Sequence, residues 1–207
     1  MTAEPISGSS AVAFRRLRNW SAVVAILIVC VLLAAGGDEA RELGRYQRDA
    51  LESGQYWRLV SGHLVHLGFG HLWPNVLALV IVGALFDGVL HNTDWWRVSF
   101  TSAMVIDGGL YLFEPDVLWY VGLSGVLHGV VAAGALALAL DRQALGFVLA
   151  VGLAAKLSFE QFAGPVPFTA ESVGGPVVVA AHLYGAAGGV LTQALTRFRM
   201  PWRWDGS

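Results

Sequence analysis

Two residues of this 207-residue chain have the chemistry of an acyl-transfer site. Ser124 lies in Gly122-Leu123-Ser124-Gly125 and His182 in Ala181-His182-Leu183-Tyr184-Gly185, each in a separate apolar run of membrane length. Polar groups of this kind are expensive in hydrocarbon, so their presence there points to function. A serine hydroxyl is a weak nucleophile until a base takes its proton, and an imidazole can do that. A serine at a helix N-terminus also gains unpaired backbone N–H groups and the positive end of the helix dipole, both suited to a developing oxyanion. Gly125 and Gly129 follow the serine at a four-residue interval, and Gly185 and Gly189 repeat that interval after the histidine. Small residues at such spacing let helices touch, so the two runs should pack closely. Taken alone, a Gly-x-Ser-Gly tetrapeptide is common in membrane helices and a lone histidine is a packing residue. Their joint occurrence at matched depth carries the reading.

A second cluster lies in His66-Leu67-Gly68-Phe69-Gly70-His71-Leu72-Trp73-Pro74-Asn75. His71 and Asn75 are four apart and share a helical face. Both can donate to an oxyanion. A metal site competes as a reading of these histidines, but no carboxylate or cysteine cluster accompanies them, and a structural zinc site wants four ligands. No metal and no cofactor are expected. His128 follows Ser124 by four and points the same way; it either packs against the imidazole of His182 or is a helix-packing residue. Lys156 and Glu160 are four apart and read as a mutual ion pair, with substrate contact by Glu160 as the other reading. Asp107 looks like a third triad member, yet nothing in the sequence brings it to His182, and a packing role is simpler. Cys30, the one cysteine, reads as a small apolar residue.

The elements that must hold these groups follow from composition. The chain is 56% hydrophobic and 14% charged, against roughly 25% charged in a soluble domain. Its net charge of -2 gives no reason to expect nucleic acid. Six apolar runs are long enough to be membrane helices: Trp20 to Gly37, Trp57 to Leu90 (its first part, to Gly68, at the interface), Trp96 to Phe113, Leu123 to Leu140, Ala144 to Phe162 and Val177 to Thr196. The first also has the look of a secretory signal, but the spans that follow favour a retained helix. Residues 38–56 form a polar first loop. Residues 1–19 and 199–207 are short tails flanking a 20–198 membrane domain.

With six spans both termini share a side, which holds Arg15, Arg16, Arg18, Arg97, Arg142, Arg197, Arg199 and Arg203; the other side holds Arg41, Arg45, Arg48 and Arg58. The positive-inside rule puts the termini in the cytosol. Ser124 and His182 then lie towards the external ends of their helices. Trp20, Trp57, Trp95, Trp96, Trp119, Trp202 and Trp204 fall near span ends, as an aromatic belt would; Trp73 is the odd one.

These residues resemble the rhomboid family of intramembrane serine proteases. The resemblance runs through Tyr56-Trp57-Arg58-Leu59, His66, His71 and Asn75, Gly-Leu-Ser-Gly, and Ala181-His182 with Gly185 and Gly189. It implies an all-α, six-helix rhomboid-like bundle and a Ser-His dyad without a carboxylate. Ser124 would be nucleophile and His182 base. His71, Asn75 and the backbone N–H of Ser124 would be oxyanion donors, with His66, His128, Gly122 and Gly125 supporting. Two features depart from the common pattern: His128 stands where rhomboids usually carry a tyrosine, and the first loop lacks a clear Trp-Arg pair in its middle. Gly-Leu-Ser-Gly-Val-Leu-His-Gly, Ser61-Gly62-His63-Leu64-Val65-His66 and Phe159-Glu160-Gln161 resemble the rhombosortase branch. That resemblance implies a bacterial inner-membrane enzyme opening to the periplasm, whose partners are the lipid bilayer and single-span substrates with a Gly-Gly-containing C-terminal tail. Other readings are a general rhomboid protease, an inactive rhomboid-like client-binding protein, and a small transporter.

Overall fold

The computed structural model describes residues 20–167 and 174–198. Both expected tails, with Arg15, Arg16, Arg18, Arg199, Arg203, Trp202 and Trp204, lie outside the described residues. The chain is mostly helical. In order come α1 (Ser21–Ala35), α2 (Gly37–Gly44), β1 (Tyr46–Gln47), α3 (Arg48–Glu52), α4 (Arg58–Ser61), α5 (Phe69–Leu85), α6 (Asn92–Phe113), β2 (Trp119–Tyr120), α7 (Ser124–Leu140), α8 (Ala144–Ala163) and α9 (Val179–Phe198).

Helix α7 is the centre. Glycine and alanine make up nearly half of it, and Val130 and Ala133 are fully buried. It meets α9 through the glycines singled out above. A Cβ on Gly185 would run into the Gly125 carbonyl, and one on Gly189 into the Gly129 carbonyl. The two backbones are thus in contact, which no larger residue permits. Helix α6 closes on the same pair: Gly188 faces Ser102, and Gly109 lies under the ring of Tyr184. Helix α8 packs on the other side of α7, with Gly146 against the backbone of Leu138 and Ala139. Helix α1 lies on α5, where Val23 and Trp20 cover Gly83.

Several expectations change. The polar stretch after α1 is not a bare loop: α2 turns off α1 at 118°, and α3 and α4 follow. A small antiparallel sheet makes the fold less than all-α; Tyr46 pairs with Tyr120 and Gln47 with Trp119. The second long helix begins at Phe69, because residues 57–68 are spent on α4 and an irregular connector. Trp95 is 2% exposed and belongs to the core, not to a belt, whereas Trp57, Trp73 and Trp96 are exposed.

Among the described residues only α8 is long and apolar enough by itself to cross a membrane; α1 and α2 qualify together as a bent pair. At 17 residues each, α5 and α7 reach about 25 Å at 1.5 Å per residue, short of a hydrocarbon core of about 30 Å. Helix α6 has the length, but carries Asp94, Arg97 and Asp107.

Arg58 organises the region above the bundle. It is buried, and its guanidinium donates to the carbonyls of Glu42 and Arg45 at 2.8 Å each and to Gln55 at 2.9 Å. A planar fork of donors suits a cluster of helix-end carbonyls. Arg48 does the same for α6, donating to the carbonyls of Leu110, Tyr111 and Glu114.

Candidate active site

Ser124 is the first residue of α7, so its hydroxyl stands where the chain enters the helix. The helical ladder begins with the Leu127 N–H on the Leu123 carbonyl. The N–H groups of Ser124, Gly125 and Val126 therefore have no acceptor within the helix. One turn into α9, His182 reaches across the glycine contact. Its Nε2 lies 3.0 Å from Ser124 Oγ. Its Nδ1 lies 2.9 Å from Glu160 Oε2 on α8. A carboxylate only accepts, so Nδ1 carries the proton and donates. Nε2 is then a free acceptor for the serine hydroxyl.

Glu160 is 3% exposed. Its second oxygen, Oε1, receives Lys156 Nζ at 2.7 Å. The ion pair read from the four-residue spacing is present, but the same carboxylate also holds the histidine. No sequence signal pairs residues 160 and 182, because the link depends on how α8 and α9 cross. Asp107 goes elsewhere: its Oδ1 lies 3.3 Å from Nε2 of His63, and both side chains are buried.

His128 stacks on His182, ring centroids 4.1 Å apart and planes 14° from parallel. Its Nδ1 donates to the Ser124 carbonyl at 2.7 Å. His128 therefore occupies the face of the imidazole, at right angles to the line of bonds from Glu160 to Ser124.

On the other side of the serine stands His71. The Leu67 N–H approaches its Nδ1 at 3.4 Å, which leaves the proton on Nε2. That nitrogen lies against Gly122. A Cβ there would sit 2.8 Å from it, and Gly122 has a φ of +117°, so glycine is required on both counts. The Gly122 N–H donates to the Gly62 carbonyl at 3.0 Å, and its own carbonyl receives Tyr120 Oη at 2.7 Å. These two bonds fix the turn that delivers Ser124.

His66 meets His71 edge-on at 5.0 Å, and its Nδ1 donates to the Leu64 carbonyl at 3.1 Å. Asn75 lies a turn deeper in α5, where its amide donates to the His71 carbonyl at 2.8 Å. Ser124 and His71 face a cavity of about 280 Å³, completed by the segment 116–121 and residues 176–178. Asn75 is not in its lining.

The nearest approach to a metal trio among the described residues is His128, Glu160 and His182, whose ligand atoms all lie within 4.8 Å. The two imidazoles are stacked and nearly parallel, so their lone pairs do not converge. Three of the four ring nitrogens already have hydrogen-bond partners.

The family model for the rhomboid domain matches residues 53–199. That stretch is most of the chain and contains every residue of the site. The chain belongs to the rhomboid family. Rhomboid proteases are intramembrane serine proteases, and the membrane-embedded character read from composition agrees with that. Among similar proteins is YdcA of Bacillus subtilis (strain 168), whose name assigns it to the rhomboid proteases. It is 24% identical over 149 residues, covering 69% of this rhomboid and 68% of YdcA. RHOMBOID-like protein 5 of Arabidopsis thaliana is 29% identical over 111 residues, covering 50% of this rhomboid and 34% of the plant protein.

Proposed function

We propose that this rhomboid is an intramembrane serine endopeptidase with Ser124 as nucleophile and His182 as general base. The observation that carries this is the 3.0 Å contact between Ser124 Oγ and the accepting nitrogen of His182, at the edge of a cavity of about 280 Å³. In the reaction, Oγ attacks the scissile carbonyl while its proton passes to Nε2. The tetrahedral oxyanion forms beside the free N–H of Ser124 and the Nε2–H of His71. Preorganised donors of this kind supply much of the rate. The imidazolium then returns the proton to the departing amine as the C–N bond breaks. Water hydrolyses the acyl-enzyme by the same route in reverse. Asn75 supports this arrangement by fixing the backbone of His71, and His66 and His128 support the two working imidazoles from the side.

The substrate class we infer is a single-span protein with a Gly-Gly-containing C-terminal tail. Its support is the resemblance of the segments around Ser124, His63 and Glu160 to the rhombosortase branch. It has a physical basis too: a helical peptide bond is shielded by its own hydrogen bonds, and each glycine costs a helix about 1 kcal/mol relative to alanine. A Gly-Gly segment unwinds into the site more readily than its neighbours.

For topology we infer six spans, α1 and α5 to α9. Both termini lie in the cytosol of a bacterial cell and the cavity opens to the periplasm. The arginine distribution supports this orientation. The test uses full-length protein in liposomes with two reporters, one ending in Gly-Gly, span and basic tail, the other a single-span protein without the glycines. Cleavage of the first alone, abolished by Ser124→Ala, is the expected result. Equal cleavage of both marks a general rhomboid protease. Undiminished cleavage by Ser124→Ala overturns the assignment.

A further inference from the structure

We propose that Glu160 is a positioning residue for His182, so that this chain works as a Ser124–His182–Glu160 triad and not as a dyad. The inference rests on the catalytic reading above and adds a third group to it.

The geometry is that of a relay in line. Glu160 Oε2 receives Nδ1–H at 2.9 Å, and Nε2 faces Ser124 Oγ at 3.0 Å. A neutral imidazole has two tautomers, and only one presents a free Nε2 to the serine. The carboxylate selects that one. It also faces the positive charge that appears on the ring when the serine proton arrives, and a carboxylate so placed is the usual orienter of a catalytic histidine. Burial makes the arrangement specific: Glu160 and His182 are 3% and 6% exposed, so water does not stand in for either.

Lys156 supplies the second half. It binds Oε1 at 2.7 Å and is the more exposed member of the pair. The lysine offsets the cost of a buried carboxylate, so Glu160 stays ionised without giving up the oxygen that faces His182. The charged and titratable groups around His182 come from three other helices. Glu160 and Lys156 are on α8, and His128 on α7 stacks on one face of the ring. His71 on α5 lines the serine cavity. Among these groups the carboxylate alone stabilises an imidazolium.

A purely structural Lys156–Glu160 pair makes a different prediction from a triad, and four measurements separate them. With Ser124→Ala as the blank, Glu160→Gln is expected to lower kcat by about 10²- to 10⁴-fold with little change in KM, the range set by the corresponding change in a soluble triad. The acid limb of its kcat/KM profile should also change, because the group facing the imidazole has been replaced. Glu160→Asp should recover part of the rate. Lys156→Met should cost less than Glu160→Gln.

The rate of fluorophosphonate labelling of Ser124 gives the same comparison without a peptide substrate. Should Glu160→Gln fail to fold, the wild-type protein itself decides. In a sample with ¹⁵N-histidine, His182 should hold its proton on Nδ1 at neutral pH. An Nε2–H tautomer overturns the triad, as does a folded Glu160→Gln that labels and cleaves at the wild-type rate with an unmoved acid limb. Loss of activity in Ser124→Ala and His182→Ala, with Glu160→Gln unaffected, removes the triad and keeps the dyad. Activity in Ser124→Ala removes both.

Discussion

Among the described residues two imidazole–carboxylate pairs are buried, and their surroundings differ. His182 and Glu160 have a hydrogen bond on every functional atom: the ring reaches serine and carboxylate, and the carboxylate reaches histidine and lysine. His63 Nε2 and Asp107 Oδ1 lie 3.3 Å apart without a well-aligned hydrogen bond between them. Their surroundings are the edge of the Tyr120 ring at 5.5 Å and an apolar cavity of about 140 Å³ that includes Leu64, Leu123 and Val126. Ser99 lines the same cavity, but its hydroxyl makes no hydrogen bond to His63. The same two functional groups therefore face a serine in one place and packed side chains in the other. What separates them is the third partner on each side.

That contrast can be broken in order of effect. The largest loss should come from Gly185→Val. The α7–α9 contact that brings His182 to Ser124 has no room for a side chain, so helix separation should abolish activity and lower the melting temperature in detergent, while leaving the His63–Asp107 pair between α6 and the α4–α5 connector. Next is the paired comparison of Glu160→Gln with Asp107→Asn. The first should lose kcat by the factor given above with a small change in melting temperature. The second should do the reverse: destabilisation of about 1–3 kcal/mol for a buried group left badly paired, read by thermal or denaturant unfolding, with kcat within about threefold. Equal effects on both quantities would erase the distinction. A smaller test removes the second pair as a unit. His63→Phe with Asp107→Leu should recover most of the stability lost by Asp107→Asn, since a buried polar pair can be exchanged for apolar residues at little cost. The smallest is His128→Ala. A stacked aromatic pair is worth about 0.5–1.5 kcal/mol, so kcat should fall by about 3- to 10-fold, and His128→Tyr should restore it.

The contrast also marks what could be read from the sequence. Ser124 and His182 stand out in the sequence because each is a reactive type in an apolar run, and the structure brings them to 3.0 Å. Gly185 and Gly189 were legible because only close helix contact explains their spacing. The Lys156–Glu160 pair follows from the i, i+4 rule. The link from Glu160 to His182 does not, because local periodicity says nothing about how two helices cross. Asp107 shows the same limit: a carboxylate inside a long helix attracts attention, but tertiary packing gave it to a different histidine. The long run from Trp57 divides at Gly68, the end of the part read as interfacial, and the helix proper begins at Phe69. Residues 57–68 are apolar enough for a helix, yet Gly62 and Gly68 and the demand of Arg58 for nearby carbonyls break them into a turn and a connector. Trp95 looked interfacial beside Trp96, and one helical step put it in the core.

The bond from the Gly122 amide to the Gly62 carbonyl stitches the α4–α5 connector to the threshold of the serine. Gly62 has no room of its own: a Cβ would lie 2.8 Å from the Tyr46 amide. Lineages descending from this protein are thus constrained in a particular way. Insertions or deletions near 46, 62 and 122 have to be accepted as a set, and variation in that rim should appear as correlated triples instead of independent drift.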